Sequence, residues 1–201
     1  MPGPDTKYDS LFRLAEKGPI RARDLDKEGI PRAYLRRLVE RGVLERTDRG
    51  VYRRVDSEVD AHSALAEVII RVPHATVCLY SALQVHEMTT EIAHAVWIMI
   101  DRTGRSPRIE YPPIEVVRAS GQARTHGIEM HRIEGVDVQI TTPSKTVADC
   151  FRYTRAVGHD VALEALREYV RGRLGTIDAL IQAARADRVY TRMRPYIEAI
   201  V

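Results

Sequence analysis

Cysteine is nearly absent from this chain: Cys78 and Cys150 are the two among 201 residues, far apart and each in apolar surroundings. Neither the paired spacing of a zinc site nor a CxxC redox motif can be built from them, so they read as reduced core thiols of a cytosolic protein. Long apolar runs are missing as well, and none approaches the roughly 20 residues that span a bilayer. The start, Met1-Pro2-Gly3-Pro4-Asp5, has neither the basic nor the apolar region of a secretory leader. The expectation is a cytoplasmic protein with no membrane partner. A strong excess of one charge is also lacking, since 31 Lys and Arg face 28 Asp and Glu for a net charge of +3. That balance excludes a histone-like protein coated in cations, and confines any nucleic-acid contact to a local patch.

Catalytic signatures are missing too. The seven histidines, His62, His74, His86, His94, His126, His131 and His159, form no HExxH and no paired ligand spacing, so neither a metal nor another cofactor is expected. Pro143-Ser144-Lys145-Thr146 lacks the GxxxxGK frame that wraps a phosphate in backbone amides, and reads as a capped helix start. Ser81 and Ser144 have no elbow glycines around them. Asp101, Glu110 and Glu115 lie near strand-like segments, as a metal-dependent nuclease would require, but Glu115 is followed by Val116-Val117-Arg118 without the lysine of such a centre. No catalytic residue is assigned, and the chain reads as a binder rather than an enzyme.

What is present is concentrated at the N-terminal end. Tyr8, Leu11, Phe12 and Ala15 recur at helical spacing until Gly18-Pro19, and Ala22 and Leu25 mark the apolar side of a second short helix between Arg21 and Glu28. A third helix is expected from Pro31, favoured at a first helical position, to Arg41 before Gly42. On its wheel Leu35, Leu38 and Val39 share one face, while Ala33, Arg36, Arg37 and Glu40 lie opposite, flanked by Arg32 and Arg41. Val43 to Arg46 and Gly50 to Val55, joined through Thr47-Asp48-Arg49, then read as a β-hairpin. A helix-turn-helix followed by a hairpin is a winged helix.

Between Gly18 and Arg54 ten of the eleven cations are arginine, the side chain whose planar fork matches phosphate oxygens or the guanine edge. The expected DNA contacts are therefore Arg36 and Arg37 on base edges with Ala33 near the groove floor, and Arg32, Arg46, Arg49 and Arg53 on phosphates. Glu40 would repel phosphate unless it accepts from a cytosine amine or pairs with a neighbouring arginine.

The domain joint is expected at Asp56-Ser57-Glu58, which gives a winged helix-turn-helix over 1–57 and a second domain over 58–201. In the second domain Ala61, Leu65, Val68 and Ile69 repeat at helical spacing, Thr76 to Leu79 reads as a strand, and Ser81 as a cap for a helix over Ala82 to Glu87. Further strands are expected at Ala95 to Ile100, Ile114 to Arg118, Ile128 to Ile133 and Val136 to Ile140, the last two joined through Glu134-Gly135. From about 143 every segment is helical in pattern, beginning with the cap and first residue Thr142-Pro143. The fold class is α+β: a winged helix-turn-helix, then a mixed α/β domain closed by a C-terminal helical bundle. The polar faces of that bundle carry Arg152, Arg155, Arg167, Arg171, Arg173, Arg185, Arg188, Arg192 and Arg194, which suit solvent, an RNA or an acidic protein.

The order of these features resembles the AbiEi antitoxins of type IV toxin-antitoxin and abortive-infection systems. The likeness rests on the winged helix, Leu79-Tyr80-Ser81-Ala82-Leu83-Gln84-Val85-His86, Val96-Trp97-Ile98-Met99-Ile100, Ile140 through Phe151 with its Thr142-Pro143-Ser144-Lys145-Thr146 helix start, and Val161-Ala162-Leu163-Glu164-Ala165-Leu166. It implies repression of the protein's own promoter through the winged helix and neutralisation, by the C-terminal domain, of a nucleotidyltransferase-like toxin encoded beside it. Neutralisation through a direct complex and neutralisation without one are both compatible with the likeness, and it singles out no residue for that role. Glu87-Met88 departs from the small or apolar residues, often glycine-leucine, that commonly follow this histidine, so the surface chemistry near His86 is not carried over. Self-association on repeated DNA sites is expected as well. Two other readings share the winged helix: a DNA-cleaving enzyme with a targeting module, and a stand-alone transcription regulator.

Overall fold

The computed structural model describes residues 7–56 and 61–200. The leader reading at residues 1–5, and Ser57 and Glu58 of the expected joint, lie outside them. Two compact units emerge, residues 1–73 with 132–137 and residues 74–131 with 138–201. The first thus extends beyond the joint expected at 56–58 and takes in the helix Ala61–Arg71. Arg71 binds the Thr47 carbonyl and the Asp48 carboxylate, which ties that helix to the hairpin.

The first unit runs α1 (Lys7–Glu16), β1 (Ile20–Arg21), a 3-10 turn (Asp24–Asp26), α2 (Ala33–Glu40), β2 (Leu44–Asp48), β3 (Val51–Arg54) and α3 (Ala61–Arg71). Leu11, Ala15, Ile20, Leu25, Ile30, Leu35, Leu38 and Leu44 form its core. The expected second helix shrinks to the 3-10 turn because its first residues are drawn into a sheet. Ile20 and Arg21 pair antiparallel with Tyr52 and Val51, and Ala22 N–H donates to the Gly50 carbonyl at 2.8 Å. The hairpin is therefore the rest of a three-stranded sheet of order β1-β3-β2. The third helix also starts later than expected: Pro31 and Arg32 precede it, and their carbonyls accept from Tyr34 and Leu35 N–H groups in tight i to i+3 turns.

The rest of the chain forms β4 (Thr76–Val77), α4 (Leu79–Val85), β5 (Val96–Asp101), β6 (Ile114–Ala119), α5 (Gln122–Thr125), β7 (Ile128–Ile133), β8 (Val136–Thr141), α6 (Pro143–Arg152), α7 (Thr154–Val157), α8 (His159–Arg171), α9 (Ile177–Ala186) and α10 (Tyr190–Ile200), all in the second unit except the tip of the β7–β8 hairpin at 132–137. The sheet order is β6-β5-β4-β8-β7, with β4 antiparallel to β5 and parallel to β8, and β5 parallel to β6. Glu134 (φ 49°) and Gly135 (φ 73°) turn the β7–β8 hairpin, as two-residue connections with positive φ do.

Ser81 does not cap α4. It lies buried inside the helix, and its hydroxyl accepts the Trp97 N–H at 2.9 Å while Cys78 N–H donates to the Trp97 carbonyl, so the helix start satisfies β5 where a longer β4 would have done so. Thr142 does cap α6, accepting from Lys145 N–H, with Pro143 in the first turn. Residues Lys145 to Phe151 of α6 are all buried, and α4, α8, α9 and α10 pack around them. Among the described residues no helix is long and apolar enough to cross a membrane.

Candidate DNA-binding face

Amphipathicity decides how α2 sits. Leu35 and Leu38 are buried in the first unit's core, which leaves Ala33, Arg36, Arg37 and Glu40 exposed together on the opposite side. Arg36 Nε donates to Glu40 Oε1 at 2.9 Å, so the acidic residue of this face has an arginine partner. The pair is exposed and one helical turn apart, a contact worth only about 0.3–0.5 kcal/mol, which a DNA ligand easily displaces.

Arg37 is held more firmly. Its guanidinium carbon lies 5.7 Å from the centre of the Tyr34 ring, and Tyr34 meets Tyr8 of α1 edge-on at 4.5 Å. Arg41 covers the other tyrosine, 5.7 Å from the Tyr8 centroid. This tyrosine pair was not singled out in the sequence, although Tyr8 belongs to the first apolar stripe.

Arg32 caps the approach to α2 and grips Asp26, Nη2 to Oδ2 at 2.5 Å with Nε at 3.3 Å from the other oxygen; that hydrogen bonding holds the Asp26 carboxyl below its usual range. On the wing, Arg46 is exposed with Nε donating to the Asp48 carbonyl at 3.1 Å, and Arg49 is exposed at the turn beside Gly50, whose φ of 77° suits glycine. Arg53 differs from the rest. Only 16% of its side chain is exposed, and its guanidinium is committed to Glu45 at 2.5 Å and faces Glu67 at 3.8 Å. It holds strands to helix inside the unit, and the expected DNA contacts that do face outward are Arg32, Arg36, Arg37, Arg46 and Arg49.

The capped start of α6 in the second unit also carries a buried charged constellation. Lys145 is fully buried, its Nζ bound to Asp149 one turn along α6 and to Asp187 beyond α9, 3.0 and 3.1 Å from the two Asp187 oxygens. Burial pushes the Asp149 carboxyl up to about 8 against the opposing pull of Lys145, and raises Asp187 too. One lysine beside two buried carboxylates favours one shared proton over a second naked charge. With no surface open to solvent, this is an internal staple.

The carboxylates weighed for nuclease chemistry lie apart. Trp97 pairs with Glu115 and Asp101 with Ala119 in the parallel register, so Asp101 and Glu115 are offset by four positions, roughly 13 Å along the strands. Asp101 Oδ1 accepts from both the N–H and the hydroxyl of Thr103. Among the described residues no three His, Cys, Asp or Glu side chains are disposed to hold a metal ion. Of the arginines on the helical bundle, half-buried Arg152 and exposed Arg192 donate to the Asp187 and Phe151 carbonyls, Arg171 and Arg194 pair with Glu168 and Glu198, and Arg155, Arg167, Arg173 and Arg188 are exposed as well.

Comparison with known proteins agrees with this arrangement. The family model described as "Transcriptional regulator, AbiEi antitoxin" matches residues 9–55, which are α1 through the end of the wing. In structure the chain is similar to the RV2827C protein from Mycobacterium tuberculosis, known from its crystal structure, with a TM-score of 0.53 at 14% identity over 97% of this chain and 81% of that one. That likeness establishes a shared α+β fold. A search of curated proteins gives no match.

Proposed function

We propose that this protein is a cytoplasmic antitoxin of the type IV class that represses its own promoter through α2 and the wing, and that its C-terminal domain neutralises a nucleotidyltransferase-like toxin. The observation that carries the reading is the coincidence of the AbiEi regulator match with a winged helix whose α2 turns arginines outward. Arg36 and Arg37 are the base readers, with Ala33 small enough to let the helix approach the groove floor; Arg32, Arg46 and Arg49 bind phosphates.

One such module buries only about 600–1,000 Å² on DNA, so useful specificity calls for two copies on repeated half-sites. The test is a fluorescence titration against labelled DNA from directly upstream of the gene and against a shuffled control, across salt concentrations. A preference above about a thousandfold supports a sequence-specific repressor. Equal, weak and salt-labile binding to both would reject autoregulation. Neutralisation is tested separately, by co-expression with the adjacent toxin gene and by co-purification, the second distinguishing a direct complex from action without one.

A further inference from the structure

Helix α3 lies beyond the residues matched by the regulator family, yet its polar side is not solvated. Glu67 is 2% exposed and the Arg71 side chain 8%, an unusual depth for two charged residues one turn apart on a helix. They bind each other at 2.5 Å and reach the wing at both ends. At the far end Arg71 Nη2 donates to the Thr47 carbonyl at 2.8 Å, and Nε lies 3.2 Å from Asp48 Oδ2. At the near end Glu67 faces Arg53, which grips Glu45, its direct cross-strand partner.

The points of attachment matter. The β2–β3 register jumps between Arg46 and Asp48, so Thr47 is the extra residue of a bulge whose carbonyl is freed from the ladder. Arg71 takes that carbonyl. The other Asp48 oxygen accepts Arg49 N–H at 2.5 Å, so one carboxylate joins the turn to the helix. A bulge sets the bend and twist of a hairpin and thereby the direction of its side chains, here the flanking Arg46 and Arg49. The same contacts neutralise Asp48 and Glu45, which would otherwise cancel Arg46 and Arg49, the exposed arginines of the wing, in the field that a DNA backbone meets.

We propose that Glu67 and Arg71 are positioning residues for DNA binding: they clamp the bulged wing so that Arg46 and Arg49 face outward while its acidic residues are neutralised. The functional DNA-binding unit accordingly extends to Arg71. This rests on the proposed promoter binding, deepening it from the reading helix to the device that presents the phosphate contacts.

The test uses the full-length chain and its Arg71→Met and Glu67→Gln variants, with Arg71→Lys as the milder change should Arg71→Met fail to fold. Each is checked by circular dichroism, then titrated with upstream and shuffled DNA at several salt concentrations, and amide hydrogen exchange is followed at residues 47–50. Loss of the clamp should speed that exchange at least tenfold. It should also lower the slope of log affinity against log salt by about two, one for each of Arg46 and Arg49, and leave the preference for upstream DNA within a few fold. A folded variant with an unchanged slope, or with wing exchange as slow as before, overturns the clamp. An unmodified chain that binds neither DNA overturns instead the promoter reading beneath it.

Discussion

The five outward arginines differ in how they are held, and that difference predicts how each behaves. Arg37, stacked on Tyr34, which Tyr8 in turn supports, is pre-ordered; its loss to alanine should cost about 1–3 kcal/mol on the specific site and relax sequence preference. Arg49 makes no ion pair among the described residues, and Arg49→Ala should weaken all DNA alike, lowering the salt slope by about one. Titrations on specific and random DNA check both; equal losses on the two DNAs for Arg37→Ala would reject its reading role. Inside the second unit, Asp149 is raised from an ordinary 3.8 to about 8 by burial, so the folded chain keeps a proton that the unfolded chain releases in between. The stability from that uptake is full below pH 4 and is lost as pH rises to about 8. Urea midpoints between pH 5 and 9 should therefore fall for the unmodified chain relative to Asp149→Asn, whereas a constant offset would mean that Asp149 is already ionised when folded. The sequence hid this site because lysine is almost never buried and because Asp187 lies 42 residues from Lys145.

Among the elements, α2 was legible and β1 was not, for the same reason. The two faces of α2 follow from a period of 3.6 within one segment, but Ile20–Arg21 becomes a strand only because Tyr52 and Val51 come alongside. The start of α4 was missed likewise, since Ser81 looks like a cap until Trp97 N–H is seen to bond it. The start of α6 was read correctly, and its neighbourhood shows how tightly the elements close. A Cβ on Gly127, at φ 63° just before β7, would stand 2.7 Å from Lys145 Cβ and 3.0 Å from Thr142 Oγ1. Gly127→Ala should cost about 1–3 kcal/mol from overpacking, with left-handed strain added, and thermal or urea unfolding measures it. Gly121→Ala, where nothing lies within 4 Å, is the control for strain alone.

At the scale of the molecule, the two proposed tasks fall to separate stretches of chain, and that makes them separable by mutation. The double variant Arg36→Ala, Arg37→Ala changes only exposed side chains of the first unit. It should abolish repression of a promoter reporter while protecting cells from the adjacent toxin as well as the unmodified chain does. Simultaneous loss of both, in a protein with unchanged circular dichroism, would show that neutralisation depends on DNA binding.

The sequence alone was enough to establish the winged-helix pattern, the arginine-bearing helix, the α+β class and the resemblance that the regulator family supports over residues 9–55, because each rests on local periodicity and turn chemistry. Tertiary structure decided which charges work outward and which inward. Arg49 and Arg53, both arginines of one hairpin, part company only once Glu67 arrives from α3 to bury one of them. Lys145 likewise becomes a staple only when Asp187 closes over it. The cost of burying a charge depends on its partners in space, and a linear sequence does not name those partners.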